Sequence, residues 1–244
     1  DMKKRKDIKF DENAAARPIR FANFLNHLKG PKAGEPIELE SWQMFLVSQI
    51  YGWMRSDGLR LRRSVYIEVP RKSGKSTLCS VLSLYHLIAD SESSAEIYSA
   101  ATRRDQARIA FGDAQAMVRA SKHLSQHLTV HRSSISHQAT NSKFEPLSAD
   151  AGSLEGRNPS FSVVDELHIH KTPDVYDVLN IASGARERPL FLSISTSGVD
   201  REGICYQVRD YSLKVLQGHV DDDSFFSMVY GIDDGDDWRD PAVW

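Results

Sequence analysis

The stretch SVYIEVPRKSGKSTLCSVLSLYHLIAD, residues 64–90, constrains the chain more than any other. A β-branched apolar run stops at Pro70, a basic turn follows, and Gly74-Lys75-Ser76-Thr77 leads into apolar residues spaced for a helix. A strand–turn–helix junction of this kind aims backbone N–H groups at an anion, because the first turn of a helix carries unpaired donors and the positive end of its dipole. The common phosphate-loop pattern places another glycine five positions before Gly74, where this chain has Val69, followed by Pro70, Arg71 and Lys72. Neither Val69 nor Pro70 adopts the positive φ that glycine permits, so the loop should start stiffly and keep its anion nest between Ser73 and Thr77. Ser73, Gly74, Lys75, Ser76 and Thr77 are the candidate nucleotide-binding residues. Lys75 would reach the β and γ phosphates, Ser76 would ligate Mg²⁺, and Arg71 or Lys72 would add positive charge.

Such a site needs a second strand ending in carboxylates, one for the metal shell and one to polarise the attacking water. FSVVDE supplies it, with Asp165 assigned to metal and Glu166 to water. His168 and His170 follow; no third or fourth ligand stands at metal-site spacing, so they are read as structural or coupling residues. SISTSG closes a further apolar run at Ser195, Thr196 and Ser197. At the ligand end of a parallel sheet, hydroxyls there could sense the γ-phosphate, although a plain loop start reads the same way. Gln43 stands beside Trp42, off the expected apolar stripe of its helix. Its amide could pair with adenine N6 and N7 while the indole stacks, the alternative being a surface glutamine. Arg157, in the loop SLEGRNPS, could deliver a cation to a phosphate, its own subunit's or a neighbour's, with Arg71 as the rival acting in its own site; a solvated loop arginine fits the spacing equally well. Thr102 and Asp105 could form a capping box around Arg103 and Arg104, cations that could also meet a DNA backbone.

The order of elements fits one α/β domain. LESWQMFLVSQIYGWMRS carries Trp42, Phe45, Leu46, Gln49, Ile50 and Trp53 at helical spacing, AEIYSAA reads as a strand, and TRRDQARIAFGDAQAMVRAS reads as a helix. Residues 128–149 alternate in short segments that predict an antiparallel excursion, and the runs before Asp165 and Ser195 are buried strands. A length of 244 residues, 41% hydrophobic, suffices for a real core. The net charge of −2 hides a basic start, DMKKRKDIKF, and an acidic end containing DDGDDW, so overall charge neither requires nor excludes a nucleic-acid partner. Cys79 and Cys205 lie in helical patterns and suggest neither a disulfide nor a zinc site. No leader or spanning segment is recognisable, which predicts a soluble intracellular protein. The start at Asp1 and the stop after WRDPAVW suggest a piece of a longer chain.

Taken together, these motifs resemble the ATPase domain of the large terminase subunit of tailed bacteriophages, a DNA-packaging motor. LESWQMFLVSQIYGW resembles its adenine-recognising region, PRKSGKST its deviant Walker A, GRNPSFSVVDELHIH its Walker B and SISTSG its coupling motif. That family commonly lacks the first glycine and carries an early basic residue instead. The resemblance implies a three-layer P-loop fold of the glutamate-type (ASCE) class with a mainly parallel central sheet. It divides the chain into an N-terminal polar and helical extension (1–35), the ATPase domain (36–232) and an acidic linker start (233–244) towards a nuclease domain not contained here, so nuclease activity is not expected. ATP and Mg²⁺ are the implied cofactors. The implied partners are double-stranded DNA, the portal protein, the small terminase subunit and further copies in a ring, generally pentameric, in the host cytoplasm. A helicase-like or other nucleic-acid-dependent P-loop ATPase is the alternative, since DELH resembles a helicase box. An assembly module that binds ATP without turnover is a further one, against which Glu166 argues.

Overall fold

The apolar runs become strands of one sheet, and the segments of helical period between them cover its two faces. A computed structural model describes residues 5–101, 104–148, 156–182, 184, 186–198, 200–232, 235–237 and 239–241. The elements run β1 (Ile8–Phe10), α1 (Glu12–Ala22), α2 (Ser41–Gly52), β2 (Trp53–Arg55), β3 (Ser64–Glu68), α3 (Lys75–Ile88), β4 (Glu96–Ala101) and α4 (Arg104–Ala120). They continue with α5 (Leu124–His127), β5 (Leu128–Val130), β6 (Ile135–His137), β7 (Ser142–Ser148), β8 (Phe161–Asp165), α6 (Asp174–Ala182), β9 (Leu190–Ser195), α7 (Ile204–Leu216) and β10 (Phe225–Val229). Thr102 and Arg103 of the expected capping box lie outside the described residues, as do the side chains of Arg104 and Asp105. So do residues 233, 234, 238 and 242–244 of the expected linker.

The eight-stranded sheet has the order β10-β3-β9-β8-β4-β7-β6-β5. Pairing is parallel from β10 through β7 and antiparallel from β7 to β6 and β5, which is the predicted excursion. Successive residues of a strand point to opposite faces, so Val65 and Ile67 enter one core and Tyr66 the other. The first core joins α1 to α4 through Ala22, Leu46, Ile50, Leu78, Leu82 and Phe111; the second joins α6 and α7 through Val175, Leu179, Cys205 and Val208. Both faces being covered explains why β3, β8 and β9 read as continuous apolar runs. Each fully buried Leu or Ile contributes about 1.5–3 kcal/mol relative to exposure. Among the described residues no helix is long and apolar enough to cross a membrane.

One expectation about α2 needs correction. Its buried face is Gln43, Leu46, Val47, Ile50 and Tyr51, whereas Phe45 is 54% exposed. The helix is apolar around most of its circumference, so periodicity alone could not select the face. Packing against α1 and the sheet does.

At the sheet end away from the phosphate loop, burial encloses a polar chain. His86 stacks on Phe161 with centroids 4.3 Å apart, its Nδ1 lies 2.9 Å from Asp90, and its Nε2 lies 2.8 Å from the Tyr51 hydroxyl. The arrangement is satisfied when Nδ1 carries the proton and donates to Asp90 while Nε2 accepts from Tyr51. The Arg60 guanidinium, 3.6 Å from Asp90, covers the Tyr51 ring at 5.2 Å. Burial depresses the His86 pKa, outweighing the attraction of Asp90. Burial opposes the Asp90 carboxylate, but His86 and Arg60 beside it prevail and leave its pKa at about 2. Both groups therefore bind protons more readily unfolded than folded, and the sign is the same for each: stability falls on acidification. For His86 the loss begins below the unfolded value of about 6.5; for Asp90 it begins below about 3.9 and runs to about 2. His137 and His170 are depressed as well and act in the same direction. Urea unfolding between pH 7.5 and 5 should accordingly show a fall in stability, and His86→Gln should flatten that slope while costing roughly 1–3 kcal/mol at pH 7.5. An unchanged slope in His86→Gln would show that His86 is not a source of the pH dependence.

Candidate functional site

Parallel register assembles the site. Glu68 pairs with Ser195 and Asp165 with Ile194, so β3, β8 and β9 end side by side, at the edge where a parallel sheet receives ligands. The phosphate loop leaves this edge without its first glycine. Val69 is 2% exposed and its N–H donates to the Ser195 carbonyl at 3.1 Å, so the position continues the sheet instead of opening a turn. The left-handed residues come later, at Lys72 (φ 65°) and Gly74 (φ 83°). Gly74 caps α3; its φ calls for glycine, and a Cβ there would lie 3.2 Å from Gln43 Nε2. Lys75 is buried with its Nζ 3.4 Å from the Pro70 carbonyl, and the Ser73 hydroxyl is buried without a hydrogen-bond partner. Ser76 and Thr77 are half-buried on the first turn of α3, and Arg71 is exposed.

The carboxylates meet this loop. Ser76 Oγ donates to Asp165 Oδ2 at 3.3 Å, and Asp165 Oδ1 accepts the Glu166 N–H at 2.9 Å. Burial, with Glu166 adjacent, raises the Asp165 pKa against the pull of Lys75 and Ser76. Glu166 occupies the left-handed region at φ 54°, unusual for a side chain with a Cβ. Its Oε2 is buried without a hydrogen-bond partner, with His168 Nδ1 3.3 Å away. A hydroxyl and a carboxylate in contact at a helix N-terminus, beside a buried lysine and an unpartnered serine, fit a phosphate chain with a hard divalent cation.

The predicted coupling residues lie against His168 and Glu68. Ser195 Oγ is 3.0 Å from both the backbone N and Nδ1 of His168, and Thr196 Oγ1 is 3.4 Å from that Nδ1. Ser197 Oγ donates to Glu68 Oε1 at 2.8 Å. Glu68 is 1% exposed; it also accepts from the Tyr66 hydroxyl at 2.7 Å and from Arg209 Nε of α7 at 3.3 Å. Sequence reasoning missed Glu68 and Arg209. A glutamate closing an apolar strand immediately before the loop was the available signal. His170 is 4% exposed, and burial pushes its pKa down to about 4.

Gln43 is buried, not off the packed face as expected. Its Oε1 accepts the Glu40 N–H at 3.0 Å in a capping box that fixes the amide at the start of α2. It opens with Trp42 onto a cavity of about 470 Å³ lined also by His27, Lys72, Ser73, Gly74 and Thr77. His27 carried no sequence signal, because the turn after α1 brings it there. Arg157 is not brought to this edge. It lies over the Tyr98 ring at 5.3 Å and within 3.3 Å of Tyr98 Oη and of Glu145 Oε2, at a strand position three residues before Ala101, roughly 10 Å back along the sheet.

The large terminase subunit of Enterobacteria phage HK97 is 26% identical over 197 residues, covering 79% of this chain and 38% of that protein. The crystal structure of the HK97 large terminase superposes with a TM-score of 0.77 at 24% identity, covering 91% of this chain and 45% of that one. Protein YmfN of Escherichia coli K12 is 42% identical over 89 residues, 36% of this chain and 20% of YmfN. The chain therefore spans less than half the length of these relatives. The family described as "Terminase large subunit, ATPase domain" matches residues 41–214, from the start of α2 to the last turn of α7 and thus across every element of the site. The chain belongs to the ATPase domains of terminase large subunits.

Proposed function

We propose that this chain binds ATP with Mg²⁺ between α2, the phosphate loop and the ends of β8 and β9, and that hydrolysis there drives double-stranded viral DNA into a procapsid. The observation that carries the reading is the contact of Ser76 with Asp165, with the Glu166 carboxylate one residue beyond it. Lys75 and the N–H groups of Ser73 to Thr77 hold the phosphates, and Ser76 and Asp165 hold the cation. When bound, Mg²⁺ would neutralise charge on the phosphates and fix their orientation. Glu166 orients and deprotonates the attacking water. Gln43 reads the adenine: its Oε1, which already accepts from Glu40, has a second lone pair for the N6 amino group, and its Nε2 is available to N7.

The remaining parts of the reading rest on family membership. The portal protein and the small terminase subunit are the proposed partners, a homo-oligomeric ring is the proposed working form, and the host cytoplasm is the proposed place of action. DNA is tracked through its backbone by cations, without base readout. Each site is completed by an arginine. Arg157 is the proposed donor to a neighbouring subunit, consistent with its distance from its own loop, and Arg71 is the rival acting at home.

Three outcomes are expected. Lys75→Ala should raise the ATP Kd at least about tenfold, whereas Glu166→Gln should keep ATP bound and slow hydrolysis by roughly 10²-fold or more, measured by nucleotide binding and phosphate release with duplex DNA present. Turnover by Glu166→Gln near the parent rate would remove Glu166 from its role. Gln43→Ala should raise KM for ATP more than for GTP, and an equal effect on both would make Gln43 structural. In assembled mixtures, Arg157→Ala retains an intact loop and Lys75→Ala retains an intact arginine, so mixing the two should restore activity above either alone. No rescue, together with loss of turnover but not of ATP binding in Arg71→Ala, would place the arginine in cis.

A further inference from the structure

His168 stands between Glu166 and the tip of β9. Its Nδ1 is 3.0 Å from Ser195 Oγ and 3.3 Å from Glu166 Oε2, and its backbone N–H donates to the same Ser195 oxygen at 3.0 Å. Ser195 Oγ donates to the Thr196 carbonyl at 2.8 Å and is reached by the His168 backbone N–H at 3.0 Å, by Nδ1 at 3.0 Å and by Cys205 Sγ at 3.7 Å. The neighbouring carboxylate favours the tautomer with the proton on Nδ1, because an ionised carboxylate only accepts and a ring lone pair facing it would repel. In this structure Nδ1 is hydrogen-bonded at the tip of β9, and the Glu166 oxygen, which has no hydrogen-bond partner, lies 3.3 Å from it.

A second observation points to the same residue. A Cβ built on Gly198 would sit 3.0 Å from His168 Cβ, so the segment leaving β9 crosses directly over the histidine. Gly198 does not occupy the left-handed region, so space, not φ, is what its lack of a side chain provides. Any displacement of Ser195 to Gly198 acts on the imidazole both through hydrogen bonds and through contact.

We propose that His168 is the positioning residue for Glu166, its Nδ1–H holding the carboxylate in a direction set by where the tip of β9 lies. When Ser195 and Thr196 approach, they engage Nδ1 and leave the Glu166 oxygen without a partner; when they withdraw, Glu166 takes the hydrogen bond and turns with the ring. The inference rests on Glu166 being the base, and it adds the link from the coupling segment to that base.

The test measures single-turnover hydrolysis of prebound ATP and the ATP Kd in parallel, with duplex DNA present. His168→Ala should slow hydrolysis about tenfold or more with Kd within about twofold, because only orientation of the base is lost. His168→Asn, whose amide N–H can occupy the Nδ1 position, should recover most of the rate, whereas His168→Gln should not. In a Glu166→Gln background, His168→Ala should cause no further loss, because the two act as one unit. Gly198→Ala provides an independent route should His168→Ala not fold, and it too should lower the rate at unchanged Kd. Parent-like hydrolysis in His168→Ala or Gly198→Ala, equal slowing by alanine and asparagine at 168, or a further tenfold loss in the Glu166→Gln background would each overturn the assignment. Parent-like hydrolysis in Glu166→Gln alone would instead overturn the choice of base on which it rests.

Discussion

The parallel pairing of β3, β8 and β9 is the constraint on which the rest depends. These strands are buried on both faces, so slipping one by a single residue would exchange Tyr66 or Val164 with residues facing the opposite core. Hydrophobic packing thereby locks the register, and the register places Glu68, Asp165 and Ser195 at one edge. The phosphate loop needs no special device to find its carboxylates. The helix it caps, α3, packs its Leu78 and Leu82 into the same core as Val163 of β8, so Ser76 arrives against Asp165 because the sheet and the helix share one core.

Polar groups at this edge are satisfied in ways that tie the loops to one another. Glu68 would be costly in so buried a place without donors, since removing a carboxylate from water carries a penalty of several kcal/mol. Tyr66, Ser197 and Arg209 supply them, which joins the strand before the phosphate loop, the segment after β9 and helix α7 in one hydrogen-bonded group. Ser195 does the same for the segment after β8 through His168. Among the described residues, the buried groups left without partners include the Ser73 hydroxyl and one Glu166 oxygen, on the side where phosphates would lie. A site that is rigid where it meets the core and unsatisfied where it faces ligand is suited to electrostatic preorganisation.

The replaced glycine belongs to the same logic. With Val69 hydrogen-bonded to β9, the loop is stapled to that strand at its first residue, and the left-handed turn moves to Lys72 and Gly74. A glycine at position 69 would give up the buried valine side chain and make the connection softer. The stiff start thus holds the phosphate loop and the β9 segment together.

The sequence by itself determined the class of fold and pointed to the chemistry: strand and helix periods, Gly74-Lys75-Ser76-Thr77 between a strand and a helix, and the Asp165–Glu166 pair closing an apolar run. These are local signals, carried by neighbours along the chain, and backbone physics fixes their meaning wherever they occur. Only the tertiary structure decided which face of α2 is buried, and hence that Gln43 lies inside and Phe45 outside, because a helix apolar nearly all round has no preferred side until something packs on it. It also decided the partners of Glu68, His168, His27 and Arg157. Those contacts join residues far apart in sequence, from Tyr98 to Arg157 and from Glu68 to Arg209, and no spacing rule spans such distances. They exist because sheet order, set by burial of both faces, chooses which strand ends become neighbours.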